Sequence, residues 1–326
     1  MTALAAAAQR HRTPDAEFIP DLMFHRSEAP AEHSGELTLT VGGITTRLRG
    51  LSSDHVSALR ERYGIFCRDD GRDPFDVAVK QVGRRGFLLP KGIAGEIYRV
   101  AIRSQGGVLL ATSYEWAGWI DRARRTGGLT LSASATTDPK ALDRSIENFL
   151  RVLYSQLVVR QDGFLLHAAG LVRGGRAYLF FGPSGAGKTT VAKLSPEATL
   201  LSDDLTLVTR SDAPGGVAGA CSVPFRGLLA PRPESDTVYP VAGFFRLIQD
   251  ETDHLVALRG ARAIGAIVAS LPFVTERPET AGEAIEVVRL AAASVPVFEL
   301  HFRKSRAFWD VIEASDRAAS RRGGRA

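Results

Sequence analysis

Residues 182–189 read Gly-Pro-Ser-Gly-Ala-Gly-Lys-Thr, set between the apolar run Ala177-Tyr178-Leu179-Phe180-Phe181 and the segment Thr190-Val191-Ala192-Lys193-Leu194. No other stretch constrains the fold so tightly. A strand must end, turn through backbone conformations open to glycine, and aim successive N–H groups outward before a helix begins. Gly182, Gly185 and Gly187 permit the turn, and Pro183, Ser184 and Ala186 complete a phosphate-binding P-loop. Lys188 is placed to reach the β- and γ-phosphates of a nucleotide. The hydroxyl of Thr189, with Thr190 beside it, is placed at the Mg²⁺ that accompanies one. Together these residues make a seat for ATP or GTP, and the expected cofactors are ATP and Mg²⁺.

The chain has 326 residues, 44% of them hydrophobic, which is enough for a substantial core. No apolar stretch reaches the roughly 18 residues a membrane helix needs. Near the start, Arg10 and Arg12 follow the apolar Ala3–Ala8 stretch, an order opposite to that of a secretory signal. A cytoplasmic protein with no membrane association is expected. Cys67 and Cys221 stand far apart and outside any CxxC pair, so they read as ordinary thiols. The net charge of +5 comes from five arginines in the end segments, Arg10, Arg12, Arg321, Arg322 and Arg325. Without them the charge balances, which argues against nucleic acid as a partner.

Four regions are expected: a flexible N-terminus (1–35), a small mixed α+β domain (36–135), a catalytic domain (136–318) and a basic tail (319–326). In the first domain, residues 37–41 and 44–48 alternate around Gly42-Gly43 and predict a hairpin. A helix follows from a cap at 52–54 to about Tyr63. Strand-like pieces are read at 75–82, 87–89, 97–103 and 108–114. The pair Trp116 and Trp119 reads as interdomain packing in preference to an aromatic binding platform. Asp138-Pro139 then caps a helix whose apolar residues Leu142, Ile146, Phe149, Leu150, Leu153 and Leu157 recur at helical spacing.

Residues 164–172 and 177–181 read as a hairpin entering the P-loop, and Pro196 limits the helix after it. A single strand is expected over 199–208. Beyond it come loops rich in Gly and Pro, a strand at 243–248, helices at 262–270, 281–292 and 307–318, and an extended segment at 295–302. Asp203 and Asp204 lie in that apolar 199–208 strand, where burying ionised groups demands a reason. At a strand end two neighbouring carboxylates can flank one reaction centre, one beside Mg²⁺ and the other taking a proton from an incoming hydroxyl.

These features together resemble the catalytic domain of the HPr kinase/phosphorylase family. Leu-Leu-His167-Ala-Ala-Gly matches its histidine before the P-loop strand, Leu-Leu-Ser-Asp203-Asp204 its paired aspartates, and Arg226-Gly227 its later Arg-Gly. The resemblance implies an α/β (α+β) fold: a P-loop kinase domain related to phosphoenolpyruvate carboxykinase, its mixed sheet flanked by helices, preceded by a smaller β-rich α+β domain. It implies Asp203 as catalytic base, His167 tuning Asp203, Arg226 facing the transferring phosphoryl group, and Thr189 and Asp204 on the Mg²⁺ side. The two aspartates can also exchange these roles. The implied activity is a kinase acting on a serine of a peptide or protein, as in kinases that modify a lasso peptide, within a homo-oligomer. One departure stands out: the family pattern has an acidic residue where this chain has Pro224. Two other readings use the same seat, a nucleotide-gated regulatory protein and a kinase for a small molecule such as an amino acid or sugar.

Overall fold

The computed structural model describes residues 33–69, 73–83, 87, 99–210, 218–225, 227–229, 236–275 and 278–323. The expected flexible segment up to residue 32, the strand residues Leu88 and Leu89, and Arg226 lie outside them. The architecture is mixed α/β with two mixed sheets and, among the described residues, seven α-helices.

The first sheet contains β1 (Gly35–Val41), β2 (Ile44–Leu51), β3 (Phe75–Gln81), β4 (Ala101–Gln105), β5 (Val108–Thr112), β6 (Trp116–Asp121) and β7 (Thr126–Leu131), in the order β1-β2-β3-β7-β6-β5-β4. The hairpin β1–β2 forms because Gly42 and Gly43 both take positive φ, 56° and 79°, as a two-residue turn matching strand twist requires. Helix α1 (Ser53–Tyr63) starts where Ser52 Oγ accepts the His55 N–H at 3.2 Å. Strands β6 and β7 are not foreseen by alternation because glycines interrupt it. A Cβ at Gly118 would lie 2.6 Å from the Phe149 ring, and one at Gly128 2.2 Å from Trp119 Nε1. These glycines make room for aromatic rings. Trp116 is buried edge-on against Phe149, with centroids 5.9 Å apart, so its role is packing.

After α2 (Ala133–Thr137) comes α3 (Pro139–Val158), opened by Asp138, whose Oδ1 accepts the Lys140 N–H at 3.0 Å. Its apolar stripe is buried, and one hydrophobic cluster runs from β1 through α3 to the second sheet. Tyr154 ties α3 to the hairpin, its one hydroxyl proton shared between Leu39 O at 3.3 Å and Ile44 O at 3.4 Å.

The second sheet comprises β8 (Phe164–Arg173), β9 (Arg176–Phe181), β10 (Thr199–Ser202), β11 (Leu205–Arg210), β12 (Ala218–Cys221), β13 (Tyr239–Gln249), β14 (His254–Leu258) and β15 (Val297–Phe302). Its helices are α4 (Lys188–Lys193), α5 (Gly260–Val268), α6 (Pro278–Ser294) and α7 (Phe308–Gly323). β8 pairs with β9 and with β11, β9 runs parallel to β13, and β12 joins β11 to β13. The pairings thus close a ring of five strands. Aromatic residues Phe180, Phe245, Phe302, Phe308 and Trp309 fill a second core.

The single strand expected over 199–208 is two strands, broken at Asp203-Asp204. Ser202 Oγ accepts the N–H groups of Asp204 and Leu205, each at 3.1 Å, and so turns the backbone between two apolar runs. Among the described residues no helix is long and apolar enough to cross a membrane.

Candidate functional site

The Gly182–Thr189 loop leaves the end of β9 and enters α4. Gly182, Gly185 and Gly187 adopt φ of 152°, 80° and 114°, so the turn depends on residues without a Cβ. A Cβ on Gly187 would also lie 2.7 Å from Phe302 Cζ. The loop is tied from outside by Gln249, whose Nε2 donates to Gly185 O at 2.8 Å. Pro183, Ser184 and Gly185 are exposed, whereas Ala186, Gly187, Thr189 and Thr190 are half-buried.

Lys188 folds beneath the loop. Its buried ammonium donates to Gly182 O at 2.9 Å and Pro183 O at 3.2 Å. Burial lowers its pKa, and the negative charge of Asp204 opposes that shift. The lysine and the second aspartate therefore share one electrostatic environment.

Asp204 is the hub of a charge network. His167 Nε2 lies 3.1 Å from Asp204 Oδ1, and Arg151 Nη1 lies 2.6 Å from Oδ2. An ionised carboxylate only accepts, so His167 donates to Asp204 from Nε2, and Nδ1 is the acceptor atom of that tautomer. Arg151 Nη2 also donates to Glu147 Oε1 at 2.7 Å, and Glu147 pairs with Arg62 of α1. Arg62 reaches Asp143 at 3.4 Å as well. Burial acts to raise the Asp204 pKa, but the His167 hydrogen bond and the Arg151 charge outweigh it and bring the carboxyl down to about 2.

Asp203 has a different environment. Its side chain is buried, Oδ2 accepts the Leu229 N–H at 3.0 Å, and Oδ1 has no hydrogen-bond partner among the described residues. A Cβ at Gly227 would come within 2.1 Å of Oδ1, so the 227–229 segment lies directly on this carboxylate. The expectation that His167 tunes Asp203 is therefore corrected. His167 faces Leu205 across the β8–β11 pairing, and the neighbouring carboxylate it meets is Asp204, because the turn at Ser202 rotates Asp203 toward residues 227–229.

The structure thus brings together Lys188, Asp204 and His167, and places Asp203 under the 227–229 segment. Pro224, at the departure noted above, precedes the buried Phe225, whose ring lies 5.8 Å below the Arg151 guanidinium. Sequence reasoning missed Arg151, Glu147 and Gln249. A signal for the first two was present: Glu147 and Arg151 stand one helical turn apart within the buried stretch of α3, where a charge needs a partner.

The depressed Asp204 pKa makes a stability prediction. A carboxyl whose folded pKa lies below the ordinary 3.8 contributes stability that is fully present above that value and is lost as pH falls toward about 2. The contribution is about 2 kcal/mol. Urea unfolding between pH 5 and pH 2.5 should show this component in the wild type and not in Asp204→Asn. A constant difference between the two proteins across that range would overturn the assignment.

By fold and site, the molecule is a mixed α/β protein that sets a glycine-rich Lys-Thr loop beside a histidine–aspartate pair. Residues 131–315, more than half of the chain, match the model of the family described as SynChlorMet cassette protein ScmC, and the chain belongs to that family. No curated protein matches it. The resemblance to the HPr kinase/phosphorylase family is thereby corrected, since the family match is to ScmC. The resemblance rested on the glycine-rich loop and three motifs of a few residues each, and patterns so short recur on unrelated chains.

Proposed function

We propose that this protein is an ATP- and Mg²⁺-dependent phosphotransferase of P-loop kinase fold that moves the γ-phosphoryl group to a hydroxyl, most plainly a serine of a peptide or protein. The observation that carries the reading is the common electrostatic environment of Lys188 and Asp204 at the Gly182–Thr189 loop, with His167 bonded to that same carboxylate.

The loop amides and the Lys188 ammonium would hold the phosphates and offset the charge of the transferring group. The donors fit a hard cation: Thr189 offers a half-buried hydroxyl, and each Asp204 oxygen keeps a lone pair beyond its bond to His167 or Arg151. Mg²⁺ there would neutralise charge across the β- and γ-phosphates. His167, its side chain 44% exposed and its Nε2 anchored on Asp204, accepts the proton of the acceptor hydroxyl at Nδ1. Arg151 holds Asp204 ionised. Asp203 anchors the 227–229 segment at the edge of the site.

The description of the family as a cassette protein directs the choice of acceptors to peptides and proteins encoded beside this gene. Each should be incubated with the full chain, Mg²⁺ and ATP, with GTP in parallel, and followed by intact mass. The expected result is the gain of one phosphate on a serine-bearing acceptor. His167→Gln should then slow transfer by about 10²–10⁴-fold with ATP binding retained. Unchanged turnover in His167→Gln together with its loss in Asp203→Asn would return the role of base to Asp203. Tight ATP binding without transfer to any acceptor would favour the nucleotide-gated protein or the small-molecule kinase.

A further inference from the structure

We infer that Asp250, His254 and His301 form a binding site for a first-row transition-metal ion, with Zn²⁺ the fitting occupant, separate from the Mg²⁺ seat proposed above. The three side chains each bring one ligand atom within 4.8 Å of the others. They come from adjoining backbone in the second sheet. His254 and His301 are directly opposed in the antiparallel β14–β15 pairing, so both imidazoles project from the same face. Their rings stack 4.2 Å apart at 16°. Asp250 follows β13 directly, is fixed by its N–H bond to Phe302 O at 3.1 Å, and reaches His301 Nδ1 at 2.8 Å.

The donor set selects the ion. Two imidazoles and a carboxylate suit Zn²⁺, Fe²⁺, Co²⁺ or Ni²⁺, whereas Mg²⁺ prefers oxygen alone. With metal–ligand bonds of about 2.0–2.2 Å, tetrahedral coordination draws ligand atoms to about 3.4 Å, within the reach of small side-chain rotations here. Three protein ligands leave a fourth position for water. Arg303, the nearest cation in sequence, is itself held by Asp253 through Nε and Nη2, each at 2.8 Å. The site also adjoins the glycine-rich loop: Gln249, next to Asp250, bonds Gly185, and Phe302, next to His301, lies beneath Gly187.

The test uses tag-free full-length protein stripped by a chelator and titrated with Zn²⁺ by calorimetry. One equivalent should bind to the wild type and to His167→Gln. The double variant His254→Ala/His301→Ala should weaken that equivalent by at least about 100-fold, and Asp250→Asn by about 10–100-fold. Wild-type affinity in a double variant whose circular dichroism and melting match the metal-free wild type would overturn the site, as would no uptake by the wild type. X-ray absorption of the Zn²⁺-loaded wild type gives a check that needs no variant. Two imidazoles in the first coordination sphere support the site, and an all-oxygen sphere overturns it.

Discussion

Replacing Lys188 by alanine is expected to lower phosphoryl transfer by about 10²–10³-fold and to weaken ATP binding with it. On the reading proposed above, this ammonium is the loop's one cationic side chain, and its donors now serve the carbonyls of Gly182 and Pro183. A bound triphosphate would draw the same donors toward its oxygens. Because Lys188 is buried, alanine also removes packing. Lys188→Met keeps most of the stem without the charge and separates the two effects. Titration with a fluorescent ATP analogue reads binding directly, and single-turnover transfer reads the chemistry. Wild-type ATP affinity in both variants would remove the nucleotide reading altogether.

Arg151→Ala should cost about 3–5 kcal/mol of stability. The substitution removes the cation between Glu147 and Asp204, whose side chains are 7% and 23% exposed. A pair on open surface would contribute no more than about 1 kcal/mol. The difference lies in desolvation: two carboxylates remain in a poorly solvated site after their shared partner is gone. Glu147 keeps its contact with Arg62, which favours the lower end of the range. Equilibrium urea unfolding at neutral pH measures the loss. A double-mutant cycle with Asp204→Asn isolates the Arg151–Asp204 coupling. A loss under about 1 kcal/mol would class the network as a solvent-screened surface feature.

Local rules made much of the fold readable. The Gly42-Gly43 hairpin, the Asp138-Pro139 start of α3 and the glycine-rich loop each follow from residues that permit few alternatives. Legibility failed where a side chain acts on the backbone or on a distant segment. Nothing in the apolar run around Asp203-Asp204 reveals that Ser202 will cap a turn there, so one strand was expected where two exist. Strands β6 and β7 were hidden because Gly118 and Gly128 answer to Phe149 and Trp119, residues remote from them in sequence or across the sheet. At the site, the loop and the aspartates were visible, but the pairing of His167 with Asp204 was not. That pairing depends on the β8–β11 register and on the turn at Ser202, both products of tertiary structure. The family likeness failed for a related reason, since motifs of a few residues report local chemistry more faithfully than descent.

The five-strand ring has a bearing on motion. The glycine-rich loop is rooted on β9, His167 on β8, the aspartates at the head of β11, and Gln249 at the end of β13. Every root belongs to the closed circuit, so no strand among them can slide in register without breaking two ladders at once. Amide hydrogens at these roots should exchange with solvent only through the rarest openings of the molecule. The 227–229 segment over Asp203 belongs to no strand, and apart from the Leu229 N–H held by Asp203 Oδ2, its amides should exchange orders of magnitude sooner. On the function proposed above, breathing of the site that admits an acceptor would begin at that cover, while the floor beneath it holds still.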